Sequence, residues 1–238
     1  MPNPSAFIEH LREHGYNPRS DRHSNALAAC VVGDLVRHCA AIRERAAEGA
    51  LVFDLNFTLL AGTSEWKVDL VIGEPGIGPR EHVPAGEIQR ARPSRVQIAV
   101  EFKSVMTEHR KAIKNRKRDF EAHHDHVHRY SDRAIAGGIL VLNASSRFRS
   151  PLRPAVSVHK EPATLIQHCI AQMRSVSMRS APGGAGLDAK SVIVVEFDNQ
   201  DLAAARFLTA PPAPAVGDPL HYDAFIQTVC DFYAERFG

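Results

Sequence analysis

Arg95-Val96-Gln97-Ile98-Ala99-Val100-Glu101-Phe102-Lys103 is the most strand-like stretch of the chain. Side chains alternate across a strand. This reading puts Val96, Ile98, Val100 and Phe102 on one apolar face, with Gln97, Glu101 and Lys103 opposite. A carboxylate and an ammonium group two residues apart then share a face at the end of a well-buried strand. Upstream, Trp66 to Ile72 reads as a second strand of the same kind. Val68, Leu70 and Ile72 form its apolar face, and Lys67 and Asp69 lie opposite. With the two strands side by side, Asp69, Glu101 and Lys103 converge on one small volume.

The flanking segments supply the rest of an α/β domain. Phe7, Ile8 and Leu11 suggest a short opening helix. A longer one starts at Asp21 or Ser24 and runs to about Ala47, with Leu27, Val31, Leu35 and Ile42 at helical spacing. Leu51 to Leu60 reads as a strand. Gly73 to about Ser94 is a loop with four prolines and four glycines. Met106 to about Arg129 reads as a helix, and Thr164 to Met178 and Tyr222 to Phe237 as two more. Gly137 to Asn143 and Ser191 to Phe197 are short and continuously apolar, as buried strands are. The order predicts an α/β fold: a mixed central β-sheet flanked by helices. One domain over 1–238 is expected, with its core at about 21–200 and an acidic C-terminal helix region at 201–238.

Composition sets limits on function. The 238 residues include 29 Lys+Arg and 27 Asp+Glu, a formal charge of +2. That total excludes a generally cationic polyanion binder but hides an uneven distribution. Residues 1–181 carry +7 and residues 182–238 carry −5. From Arg90 to Arg118 there are ten basic residues against Glu101 and Glu108, and six of the ten fall between Arg110 and Arg118. A smaller basic cluster follows at Arg147, Arg149 and Arg153. No apolar run approaches the ~18 residues of a membrane span, and no secretory signal pattern is visible at the N-terminus. A cytoplasmic protein is therefore expected. Cys30, Cys39, Cys169 and Cys230 form no CxxC pair and read as buried or free thiols in a reducing compartment.

Two carboxylates presenting hard oxygens suit Mg²⁺, which takes few protein ligands and keeps several waters. A lysine beside them can orient an attacking water or stabilise developing negative charge. These are the requirements of metal-assisted phosphodiester hydrolysis. Val68-Asp69 in one strand and Glu101-Phe102-Lys103 at the end of the next, with a basic helix following at once, resemble the PD-(D/E)xK nuclease superfamily. The resemblance covers roughly residues 21–145. Val68 stands where the family's pattern has a proline before the aspartate. The resemblance implies a restriction-endonuclease-like fold and a Mg²⁺-dependent DNA endonuclease, with Mn²⁺ as a substitute cation. It makes Asp69 and Glu101 metal ligands and Lys103 the catalytic lysine. Many relatives carry a further acidic residue on the preceding helix; Asp34 and Glu44 are the candidates, with Asp34 preferred. The size suggests a stand-alone restriction or phage-defence nuclease acting on double-stranded DNA as a homodimer. The alternative is a catalytically inactive or effector-gated nucleic-acid-binding protein on the same fold.

The helix after the motif has a narrow apolar stripe, Met106, Ile113, Phe120 and Val127, one residue in seven. Arg110, Lys111, Lys114, Lys117 and Arg118 lie off it and are the expected contacts to DNA phosphates. Its run His123-His124-Asp125-His126-Val127-His128 reads as structural or phosphate-contacting. His124 and His128 have the spacing to share a metal, but no cysteine or HExxH motif accompanies them. Gly73-Glu74-Pro75-Gly76-Ile77-Gly78-Pro79-Arg80 opens like a P-loop, yet Pro79 and Arg80 occupy the places of the Lys and Ser/Thr that hold phosphate and Mg²⁺. It reads as a loop.

Overall fold

The computed structural model of the chain describes residues 2–78 and 88–238. Helices α1 (Ser5–His14), α2 (Arg22–His38) and α3 (Ala40–Ala47) precede an antiparallel pair, β1 (Val52–Ala61) and β2 (Ser64–Pro75). Short β3 (Gln89–Arg90) leads into β4 (Pro93–Val105), followed by α4 (His109–Tyr130) and β5 (Ile135–Asn143). A two-stranded ribbon, β6 (Arg147–Phe148) and β7 (Ser157–Val158), stands apart from the main sheet. Helix α5 (Pro162–Arg174), β8 (Ala189–Glu196), β9 (Arg206–Phe207) and α6 (Tyr222–Phe237) complete the chain.

Among the described residues the main sheet has seven strands, in the order β3-β1-β2-β4-β5-β8-β9. It is mixed: β2 and β4 are antiparallel, whereas β4, β5 and β8 run parallel. The α/β class expected from the sequence is therefore the observed one. Residues of β5 are buried throughout, which fits its continuously apolar sequence at the sheet centre. One face of the sheet packs against α1, α2, α3 and α6. The other packs against α4 and α5.

Strict alternation fails at two places, both next to the site. Val96 packs on the α4/α5 face with Ala99, not with Ile98, Val100 and Phe102. The cause is a register slip: Ile72 faces Ile98, Gly73 faces Val96, and Gln97 is the extra residue of a bulge. Only glycine fits at 73, since a Cβ there would lie 2.0 Å from the Arg95 carbonyl oxygen. Gln97 turns instead toward Arg45 and Tyr233. Val68 likewise leaves the face of Leu70 and Ile72 and packs with Val71 and Phe57. Here Asn56 of β1 takes a left-handed conformation, φ 54°, between the pairs Leu55–Leu70 and Phe57–Val68.

The long N-terminal helix expected to reach Ala47 is two helices. Cys39 is extended, φ −100° and ψ 109°, and α2 and α3 meet there at a 98° bend. Cys39 forms a disulfide with Cys230 of α6, with Cα atoms 5.2 Å apart, well inside the bridging range. This corrects the reading of four thiols; Cys30 and Cys169 remain free and buried. The core also extends beyond 21–200, because α1 and α6 bury Phe7, Leu11, Phe225, Val229 and Tyr233 in it. Among the described residues, no single helix is long and apolar enough to cross a membrane.

Candidate active site

Strands β2 and β4 pair from Pro75–Pro93 as far as Leu70–Val100 and then part. Asp69 sits at the point of separation. Its Oδ2 accepts the backbone N–H of Phe102 at 2.8 Å, so a side chain takes over where the strand ladder stops. Glu101 and Lys103 project from β4 into the same opening, and the Lys103 ammonium donates to Glu101 Oε1. Asp69, Glu101 and Lys103 are thus brought together.

Close packing by α4 buries Glu101. In the parallel β4–β5 ladder Glu101 is level with Gly138. A Cβ at Gly138 would lie 2.8 Å from the Phe120 ring, so the missing side chain lets α4 descend onto the sheet. His123, one turn beyond Phe120, then stands over Glu101. Its Nε2 donates to the Ala99 carbonyl at 3.3 Å, and its Nδ1 lies 3.8 Å from Glu101 Oε2. Among the described residues, neither of those two facing atoms has a hydrogen-bond partner. Glu101 itself is 2% exposed.

The electrostatics follow from this packing. Burial, and then the neighbouring Asp69, push the Glu101 carboxyl up to about 7, against the opposing pull of Lys103. Asp119 of α4 adds to the same upward push. Burial also raises Asp69, while Lys103 and the Phe102 amide lower it and Asp21 raises it further. His123 is pushed down to about 3, chiefly by burial, so its ring is neutral near pH 7. The corner therefore concentrates like charge and leaves a buried carboxylate oxygen unpartnered, which is the polarity that receives a cation or a proton. Among the described residues no group of three or more His, Cys, Asp or Glu is arranged to hold a metal. Asp69 and Glu101 are the two oxygen donors of the corner, and Mg²⁺ is commonly bound through one or two carboxylates with water completing its shell.

Asp34 is elsewhere. It is buried in α2 and accepts from the Asn3 amide, from Arg37 and from the Tyr222 hydroxyl, tying the N-terminus and α6 to α2. None of these partners touches the corner. Glu44 is exposed on α3.

The basic residues divide by position on α4. Arg110, Lys114 and Lys117 form a stripe spaced i, i+4, i+7, and Lys117 reaches Ser175 beyond the end of α5. That stripe lies on the α5 side of the helix. The turns facing Glu101 carry Asp119 and His123, with Arg116 paired to Asp119 at 3.0 Å. Arg116 is part of the basic run, and its spacing of i, i+3 and i+7 to Asp119 and His123 is the sequence signal that sets it apart from the other cations. Lys111 and Arg118 are exposed.

The other histidines of the run are bonded to backbone. His126 donates to the Leu59 carbonyl, His128 to that of Gly186, and His124 Nδ1 accepts the Gly186 amide. They fasten α4 to β1 and to the segment before β8, in line with a structural role. Gly73 to Pro75 of the P-loop-like stretch continue β2, and Pro79 and Arg80 lie outside the described residues. No protein-family model matches the chain, and no curated protein or solved structure matches it.

Proposed function

We propose that the chain is a metal-dependent endodeoxyribonuclease of the PD-(D/E)xK type, hydrolysing phosphodiester bonds in double-stranded DNA. The observation that carries this reading is the meeting of Asp69, Glu101 and Lys103 where β2 and β4 part. The unpartnered, buried Glu101 Oε2 also fits a cation ligand. Asp69 and Glu101 would hold Mg²⁺ or Mn²⁺, which supplies Lewis acidity toward a phosphoryl oxygen and lowers the pKa of bound water. Lys103 and Asp69 are part-exposed, whereas Glu101 is buried. The Lys103 ammonium is the group that reaches an incoming phosphate, orients the attacking water and offsets charge on the phosphorane oxygens. The neutral ring of His123 and the ring of Phe120 close the inner side of the corner against bulk water. Lys111 and Arg118 of α4 supply backbone contacts to DNA. A homodimer suits this reading, since a duplex has two strands to cut.

The test is cleavage of plasmid DNA with Mg²⁺ by the wild type and by Lys103→Ala. The wild type is expected to nick or linearise the plasmid, and EDTA to stop it. Lys103→Ala is expected to lose cleavage while still retarding a duplex in a gel. Cleavage by Lys103→Ala at the wild-type rate refutes the assignment.

A further inference from the structure

Arg116 is the cation of α4 that approaches the corner. Helix α4 starts over the end of β5, where His109 Nε2 lies 2.8 Å from the Asn143 carbonyl oxygen. Further along, Phe120 rests on Gly138 and His123 bonds the Ala99 carbonyl. The helix therefore runs antiparallel to β4 and β5. Arg116 comes one turn before Phe120, on the side of the helix that carries Phe120 and His123. That turn advances about 6 Å, and Lys103 lies about 7 Å beyond Glu101 along β4. Phe120 is level with Glu101, so Arg116 is level with Lys103. The Tyr16 hydroxyl, raised by burial, is drawn down by Ser104 and by Arg116, and Ser104 is the residue after Lys103.

The guanidinium is held in place but not used up. Its Nη1 donates to Asp119 Oδ2 at 3.0 Å. Among the described residues Nε is buried without a partner and Nη2 makes no hydrogen bond. The side chain is 37% exposed, so a substrate can reach it. An i, i+3 ion pair on a helix adds little to stability. What the pair does is fix the orientation of a planar, multidentate cation beside Lys103.

We propose that Arg116 is a substrate-contacting residue of the corner, its guanidinium donating to a non-bridging oxygen of the phosphodiester that Lys103 engages, with Asp119 as the positioning residue that aims it. This inference rests on the nuclease reading. Lys103 is already shared with Glu101, and it is a point charge on a flexible stem. A guanidinium keeps its charge at any working pH and presents a rigid fork of donors. Negative charge grows on the non-bridging oxygens as water attacks, and donors fixed beforehand act most strongly there. Arg116 forms no covalent bond and moves no proton. Its effect is therefore on the rate of the bound complex, whereas Lys111 and Arg118 act on affinity.

Two measurements on the full chain test the proposal: single-turnover cleavage of a duplex oligonucleotide with Mg²⁺ at saturating protein, and duplex affinity by anisotropy with Ca²⁺ in place of Mg²⁺. Arg116→Ala is expected to lower the saturated rate about 100-fold and to weaken affinity less than about fivefold. Millimolar guanidinium chloride is expected to restore part of the Arg116→Ala rate without accelerating the wild type, a response that a lost packing contact does not give. Where Arg116→Ala fails to fold, Arg116→Lys decides, with an expected loss of about tenfold in the saturated rate. A wild-type saturated rate in the variant overturns the proposal, with or without an affinity loss. A slowed Arg116→Ala that guanidinium does not rescue assigns Arg116 a structural role and overturns it as well. A wild type that cuts no DNA with Mg²⁺ or Mn²⁺ overturns the nuclease reading together with this inference; a wild type that cuts, beside an unslowed variant, overturns this inference alone.

Discussion

The Asp69 carboxylate accepts the amide N–H of Phe102 at 2.8 Å, one step beyond the last β2–β4 pair, Leu70–Val100. A single oxygen thus finishes a strand ladder, and the same group faces Glu101 and Lys103. Asn at this position keeps an acceptor for Phe102 but loses the charge. Asp69→Asn is expected to unfold in urea like the wild type and to have no measurable plasmid cleavage. Asp69→Ala loses the hydrogen bond as well, at a cost of about 1 kcal/mol in the same denaturation. Wild-type cleavage by Asp69→Asn would remove the carboxylate from the chemistry.

Glu101 is held against its own preference. Its carboxyl sits at about 7 in the folded chain and near 4.5 when unfolded. Between those values the folded chain retains a proton that the unfolded chain gives up. In the absence of divalent cations, stability therefore falls as pH rises from about 4.5 to about 7, and the deficit is complete above that window. Glu101→Gln should remove this slope, raise stability by roughly 1–3 kcal/mol at slightly alkaline pH and abolish cleavage. Urea melts across pH check it: a Glu101→Gln variant no more stable than the wild type contradicts the burial cost.

His123 is expected to remain neutral, with its proton on Nε2, across the neutral range. The Ala99 carbonyl fixes that tautomer, and burial pushes the ring's pKa down to about 3. Nitrogen-15 NMR of the imidazole reads both properties. A ring that titrates near neutrality would mean that water reaches it.

The Cys39–Cys230 bridge closes a 191-residue separation and joins the α2–α3 bend to α6. The oxidised chain, unfolded in urea, should give two titratable thiols, those of Cys30 and Cys169. Cys230→Ser should lower stability by about 2–5 kcal/mol relative to the oxidised chain. Four titratable thiols would show the bridge to be absent.

Apolar runs and helical spacing were enough for most elements. β4, β5, β8, α4 and α6 lie close to where the sequence puts them, because each has a long, one-sided or fully buried pattern. Local alternation also paired Glu101 with Lys103 and oriented Asp69 as their partner. It erred at Val68 and Val96, since the bulge at Gln97 and the left-handed Asn56 depend on cross-strand register. Helical spacing ran α2 into α3 through Cys39, and the family resemblance placed Asp34 among the metal ligands. The bend depends on the position of α6, and the Asp34 carboxylate is satisfied by Tyr222, 188 residues away.

The sequence by itself determined the α/β class, the identities of Asp69, Glu101 and Lys103, and the local excess of positive charge, because these follow from near neighbours in the chain. The tertiary structure alone decided which groups meet. His123 stands over Glu101 because Phe120 rests on Gly138, and His109 meets His159 across a fold-back of about fifty residues. Both contacts are set by side-chain volume between distant segments, which no local period encodes.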